Sequence, residues 1–116
     1  MTWHNGAVPS RHEFSPDMPE RVRNVLDTLG SNNRIEALLF FSKQRTASRQ
    51  DLATATSIPF GSTSIITNDL QRYGYLTAST DADRGRRGAP ILYTIDRSRL
   101  YDDIAALMAH LASLAD

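Results

Sequence analysis

The stretch Ser48–Leu76, SRQDLATATSIPFGSTSIITNDLQRYGYL, predicts two consecutive helices separated by a turn. Ser48 and Asp51 have the S-x-x-D spacing of a helix start, and Leu52 anchors the short helix that follows. The segment Ser57–Gly61 contains a proline and a glycine and predicts a turn. A second, longer helix follows this turn.

The longer helix has one apolar face and one polar face. The apolar members recur at three- and four-residue intervals: Thr63, Ile66, Leu70 and Tyr73. The opposite face carries Ser62, Ile65, Asn68, Asp69 and Arg72. Gly74 ends the helix, because glycine tolerates the left-handed backbone of a helix C-terminus. The whole stretch therefore predicts a helix-turn-helix.

Two further helices are predicted before this unit. The first begins near Pro19, ends at Gly30 and buries Val22, Val25, Leu26 and Leu29. In the second, Asn33 and Glu36 have the spacing of a capping pair. We expect its buried face to be formed by Ile35, Leu38 and Leu39.

A hairpin and a last helix are predicted after the unit. The runs YLTAST and PILYTID predict strands, and DADRGRRGA predicts the turn between them. This turn carries three closely spaced arginines: Arg84, Arg86 and Arg87. Ser98 is expected to cap the last helix, whose apolar stripe recurs at steps of four and three: Leu100, Ile104, Leu107, Leu111 and Leu114.

Length and composition favour one small domain. The chain has 116 residues, of which 41% are hydrophobic, and it has no cysteine, which excludes disulfides and thiolate sites. We predict an α+β, mostly helical fold with an arm at residues 1–17, a domain at 18–97 and a helix at 98–116. The chain has neither a membrane-spanning apolar run nor a secretory signal, so we expect a cytoplasmic protein.

The formal net charge of zero conceals an uneven distribution of positive and negative charge along the chain. Residues 43–99 carry nine Lys/Arg against five acids, whereas residues 100–116 carry three acids and no base. The excess positive charge falls on the helix-turn-helix and the hairpin. Such a patch is typical of proteins that bind a polyanion.

The order of elements resembles the winged helix-turn-helix of bacterial regulators of the ArsR and MarR type. Leu29, Gly30, Arg34 and Ile35 match the entry to the second helix in that family. Asp51, Leu52 and Ala53 resemble the Glu-Leu-Ala of its support helix, and Gly74 to Leu76 resembles the Gly-Leu-Val after its recognition helix. The resemblance covers residues 19–96, and it implies a DNA-binding transcriptional regulator that acts as a repressor.

The exposed positions then have expected roles. On the recognition helix we predict contacts with base edges and phosphates from Gly61, Ser62, Ser64, Ile65, Asn68 and Arg72. The free N–H groups at Gly61 and Ser62 would attract a phosphate. Asp69 accepts from cytosine or pairs with Arg72. On the wing, Arg84, Arg86 and Arg87 are expected to enter the minor groove of double-stranded DNA.

The last helix predicts a homodimer. Its stripe, Leu100, Ile104, Leu107, Leu111 and Leu114, would otherwise leave apolar surface in water. Asp102 and Asp103 are interpreted as charges that complement the helix dipole. Tyr73, Tyr75 and Tyr93 are expected to pack in the core or the hairpin.

Other functions are less well supported by the sequence. The candidate metal ligands, His4, His12, Glu13 and His110, lack ligand spacing, and we predict no metal, no cofactor and no enzymatic activity. The effector is left open. Two alternatives remain: a winged-helix module that binds another protein, and a plasmid or phage replication or excision factor.

Overall fold

The computed structural model describes residues 17–79 and 88–114. It contains five helices and two strands within those ranges: α1 (Glu20–Leu29), α2 (Asn32–Lys43), α3 (Arg49–Ala55), α4 (Phe60–Tyr73), β1 (Leu76–Ala78), β2 (Tyr93–Ile95) and α5 (Arg97–Leu114). Residues 1–16 of the predicted arm and residues 81–87 of the arginine-rich turn lie outside the described residues. The α+β, mostly helical winged helix-turn-helix predicted from the sequence is confirmed.

Helix α1 starts after Pro19 and packs mainly on α5. It buries Val22, Val25 and Thr28. The Thr28 hydroxyl donates to the Asn24 carbonyl at 2.9 Å, so this buried polar group is satisfied within its own helix. Leu29 is 44% exposed, contrary to the expectation that it belongs to the buried face.

Helix α2 differs from the sequence prediction at its start and on its buried face. Its N-cap is Ser31, whose side chain accepts from the Arg34 N–H, so the predicted Asn33–Glu36 pair is wrong. The buried residues are Ala37, Leu38 and Phe41. Leu39 is 57% exposed, because the face toward α1, α3 and α4 lies one position away from the predicted one.

The helix-turn-helix follows the predicted pattern closely. Ser48 and Asp51 form a complete capping box at the start of α3, and Leu52 is fully buried. Helix α4 begins at Phe60, earlier than predicted, and Pro59 is its N-cap with the extended backbone usual at that position (φ −61°, ψ 142°). Its buried face contains the predicted residues Thr63, Ile66, Leu70 and Tyr73, together with Thr67. Gly74 has φ 90°, as a left-handed cap requires.

The wing hairpin is joined to the helix-turn-helix by a backbone bridge. Strands β1 and β2 are antiparallel, with Leu76 opposite Ile95. Ala47, just before α3, exchanges both backbone hydrogen bonds with Tyr93 of β2, at 3.1 and 2.8 Å. The Tyr93 ring packs edge-on against Phe41 of α2, with 6.1 Å between ring centres. The described base of the wing is thus part of the core.

Helix α5 starts at Arg97, and its cap lies two residues before the predicted cap Ser98. Asp96 Oδ1 accepts from the Arg99 N–H at 3.1 Å and caps the helix in place of Ser98. Farther along, Asp103, which is interpreted from the sequence as a complement of the helix dipole, is fully buried. Its carboxylate accepts from the Tyr75 hydroxyl at 2.7 Å and pairs with Arg21 Nε of α1 at 2.9 Å. This carboxylate ties α1, α5 and the end of α4 together.

Candidate nucleic-acid interface

One stripe of α4 is exposed along its whole length. The exposed residues at one-turn spacing are Gly61, Ile65, Asn68 and Arg72. Ile65 is 66% exposed, and Phe60 at the start of the helix is 53% exposed. The stripe is exposed because the opposite face, around Ile66 and Leu70, packs in the core. Four of the six residues predicted on this helix therefore form a continuous surface.

The two predicted serines are less accessible. Ser62 is half-buried, and its N–H donates to the Pro59 carbonyl at 2.9 Å. The prediction that this N–H is free to bind a phosphate is therefore wrong. The Ser64 hydroxyl accepts from Arg49 Nη1 of α3 at 2.8 Å. That bond connects the two helices of the helix-turn-helix. Ser64 is half-buried beside this junction.

Asp69 points toward the protein rather than outward. Its side chain is only 13% exposed, and Arg34 Nη2 of α2 donates to its Oδ2 atom. Its Oδ1 atom lies 2.9 Å from Arg72 Nη2. Of the two roles expected for Asp69, the pairing with Arg72 is observed. Arg34 also belongs to this site, and the sequence did not indicate that it would pair with Asp69.

Arg34 and Tyr73 extend this charge network to α1. Arg34 Nη1 is 3.8 Å from Asp27 Oδ2, and the Tyr73 hydroxyl donates to the same carboxylate. Burial acts to lower the pKa of Arg34, but the hydrogen bond to Asp69 and the charge of Asp27 outweigh it and raise the pKa overall. Burial, followed by the bond to Asp27, raises the pKa of Tyr73. The network therefore keeps Arg34 charged and Tyr73 protonated.

The described base of the wing lies beside the start of α4. Between them is a cavity of about 140 Å³, lined by Ser48, Arg49, Gln50, Phe60, Pro90 and Ile91. Gly88, where the described return of the turn begins, has φ 86°. Arg84, Arg86 and Arg87 lie outside the described residues. The return segment of the wing, at Pro90 and Ile91, thus adjoins the N-terminal end of α4.

The predicted stripe of α5 is partly used by the domain itself. Leu100 is 9% exposed and belongs to the core, while Ile104 and Leu107 are half-buried against it. Leu111 is 57% exposed, and the side chain of Leu114 lies outside the described part of the helix. Two other large apolar side chains of α5, Tyr101 and Met108, are 60% and 66% exposed, respectively. The exposed apolar face of α5 is therefore displaced from the predicted stripe.

The three tyrosines expected in the core or hairpin are all buried. Tyr73, Tyr75 and Tyr93 are 7%, 0% and 3% exposed, respectively. His4, His12 and Glu13 lie outside the described residues. In residues 17–79 and 88–114, no group of three His, Cys, Asp or Glu side chains is arranged to hold a metal ion. Across the same ranges, no helix has the length and apolar character to cross a membrane.

Comparison with known proteins gives similarity in structure rather than in sequence. No family model matches the chain, and no curated protein matches it by sequence. An ArsR-like transcriptional regulator from Rhodococcus sp. RHA1 has a TM-score of 0.64 at 20% identity, over 82% of this chain and 83% of that one. The AntR antimony-specific transcriptional repressor has a TM-score of 0.58 at 18% identity, over 97% and 96% of the two chains.

A third similar structure is a DNA-binding domain. It is the homodimeric winged helix-turn-helix domain of a possible ArsR-family regulator from Mycobacterium bovis, with a TM-score of 0.54 at 24% identity. The match covers 84% of this chain and 80% of that one. The fold expected from the sequence resemblance is thus found independently in the structure. The chain has the winged helix-turn-helix fold seen in structures of ArsR-family transcriptional regulators.

Proposed function

We propose that the protein is a sequence-specific regulator of transcription that binds double-stranded DNA as a homodimer and acts as a repressor. The observation that carries this proposal is the exposed stripe of α4, formed by Gly61, Ile65, Asn68 and Arg72. A helix that presents one polar-rich face and buries the other fits the major groove. The homodimeric DNA-binding domain and the repressor among the similar structures support the same function.

Each exposed position has a suitable partner on DNA. Asn68 offers the paired donor and acceptor that recognise adenine, and the aliphatic Ile65 suits a thymine methyl group. Gly61 has no atom within 4 Å of the position that a Cβ would take, so the helix start is open to a phosphate. The half-buried hydroxyls of Ser62 and Ser64 fit the edge of such an interface.

The wing supplies the positive charge that α4 lacks. Arg84, Arg86 and Arg87 follow β1 in sequence, and the return segment adjoins the start of α4. We propose that these arginines lie in the minor groove next to the recognition helix, where the negative potential attracts them. Replacing all three with Ala is expected to weaken binding to all DNA and to reduce the salt slope by about one per lost phosphate contact.

Homodimerisation is proposed through the exposed face of α5. Tyr101, Met108 and Leu111 are all more than half exposed on this helix. A small domain rarely leaves several large apolar side chains of one helix in water. Helix α5 also packs along α1, so both helices provide a firm support for an interface.

Selection of bound DNA from a random pool tests the proposal. The wild type is expected to enrich a two-fold symmetric site with half-sites about one helical turn apart. Asn68→Ala is expected to relax the choice at one base pair per half-site by about 1–3 kcal/mol. If the selection enriches no sequence at either low or moderate salt, sequence-specific binding is contradicted.

A second candidate function is a winged-helix module that binds another protein. The observation in its favour is the exposed apolar pair at the start of α4, Phe60 and Ile65. Apolar side chains at these positions suit a protein partner as well as a thymine methyl group. Unchanged DNA affinity after loss of the wing arginines, together with failure of the random-pool selection, would favour this module.

A further inference from the structure

Arg72 is held on two sides but stays accessible. Its Nη2 atom lies 2.9 Å from Asp69 Oδ1, and its guanidinium carbon lies 5.2 Å from the centre of the Tyr73 ring. The side chain is nevertheless 64% exposed. A free surface arginine samples many orientations, whereas contacts with a carboxylate and a ring restrict this one. Arg72 therefore presents its remaining N–H donors in a restricted direction.

Asp69 is fixed from inside the domain. Arg34, on α2, donates to Asp69 Oδ2 and is itself 3.8 Å from Asp27 on α1. Only 13% of the Asp69 side chain is exposed, so it cannot swing out to follow a mobile Arg72. The geometry makes Asp69 the fixed member of the pair. The orientation of Arg72 is thus set through Asp69 by Arg34 of α2, which lies 35 positions before Asp69 in the chain.

The charges distinguish two kinds of contact with DNA. A phosphate contact contributes chiefly through net positive charge and counterion release. The charge of Arg72 is offset by the adjacent Asp69 carboxylate, which weakens that contribution. A guanine edge instead requires two coplanar donors aimed at its O6 and N7 atoms. A paired arginine with a restricted orientation suits the guanine edge better than the phosphate.

We propose that Arg72 recognises a guanine in the major groove, and that Asp69 and Arg34 are positioning residues that hold its guanidinium in the orientation required. The proposal rests on the DNA-binding function proposed above and adds the identity of one base and the residues that select it. Asp69 contacts Arg72 rather than the DNA. It therefore contributes to base choice without touching a base.

The test compares base preferences in sites selected by the full-length protein and its variants. Arg72→Lys keeps the charge and loses the planar fork, so the preference for guanine at one position per half-site is expected to fall by about 5- to 150-fold. Asp69→Asn is expected to reduce the same preference by about threefold or more, and to have no further effect in the Arg72→Lys background. Preferences at other positions should stay unchanged.

Two further variants separate positioning from charge and from folding. Asp102→Asn removes the same charge at an exposed position of α5 and is expected to leave the preference unchanged. Arg34→Lys keeps the charge but loses the fork, and it should lower the guanine preference while leaving the melting temperature near that of the wild type. If Asp69→Asn fails to fold at the assay temperature, Arg34→Lys decides the role of the positioning residues.

The outcomes that overturn the proposal are distinct from failure of the proposed function. Arg72→Lys with an unchanged guanine preference, or Arg72→Ala with equal losses on selected and random DNA and a salt slope smaller by about one, makes Arg72 a phosphate contact. Folded Asp69→Asn and Arg34→Lys proteins with wild-type base preferences remove the positioning role. Wild-type protein that binds no DNA refutes the proposed function itself.

Discussion

The buried bond between Tyr75 and Asp103 provides a sharp test of the packing described here. Both residues are 0% exposed, and the Tyr75 hydroxyl donates to Asp103 Oδ2 at 2.7 Å. Tyr75→Phe keeps the ring and removes only the hydroxyl, so it leaves almost no cavity. A hydrogen bond to a charged group contributes about 1.5–3 kcal/mol, and we expect the free energy of unfolding to fall by that amount.

The assay is urea unfolding followed by circular dichroism at a fixed protomer concentration, since a dimer makes stability depend on concentration. Tyr101→Phe is the matched control, because it removes the same hydroxyl from a ring that is 60% exposed on α5. We expect the control to change stability by less than about 0.5 kcal/mol. A Tyr75→Phe protein as stable as this control would refute the reasoning.

The same variant has an expected pH dependence. Burial, and then the hydrogen bond and charge of Asp103, raise the pKa of Tyr75 above its ordinary value of about 10. The folded protein therefore holds this proton more tightly than the unfolded chain does. The corresponding stability is intact below about pH 10 and is lost as the pH rises above that value. The alkaline loss should be shallower in Tyr75→Phe than in the wild type.

Three other predictions concern the caps and the dimer. Ser48→Ala removes the capping box of α3 and is expected to cost about 1 kcal/mol in urea unfolding; an unchanged midpoint would contradict this. Gly74→Ala forces a side chain into a left-handed backbone, 3.3 Å from Arg99 Cγ, and should cost about 1–2 kcal/mol in the same assay. Met108→Lys combined with Leu111→Lys should give monomers by sedimentation, and a wild type that is already monomeric at tens of micromolar would make the dimer proposal wrong.

The exposed apolar positions of α5 illustrate where periodicity is sufficient and where it is not. The 3.6-residue repeat predicted the buried face of α4 correctly, because this helix lies on a single core, whereas Ser62 and Asp69 of the predicted exposed face are half-buried and turned toward the protein, respectively. On α5 the repeat predicted one stripe, but the helix packs along α1, and Leu100 is buried in the core while Met108 stays exposed. An apolar stripe in the sequence alone does not show whether its residues pack on their own domain or on a second copy of the protein.

Local and distant signals differ in the same way at the caps and in the site. The capping box of Ser48 was predicted because all its atoms lie within four residues. At α2 and α5 the sequence predicted caps at Asn33 and Ser98, whereas the structure has Ser31 and Asp96, each two residues earlier. The Arg34–Asp69 pair joins residues 35 positions apart, and no spacing rule connects them. Only the packing of α2 against α4 brings this pair together.

The backbone bridge between Ala47 and Tyr93 has a consequence for operator length. Its two hydrogen bonds tie the segment before α3 to the strand that returns from the wing. The helix-turn-helix and the base of the wing therefore move as one body. In the proposed complex, the base of the wing then keeps its position beside α4 when the protein binds DNA. A site with one base pair inserted between the major-groove and minor-groove contacts is therefore expected to bind more weakly than the parent site.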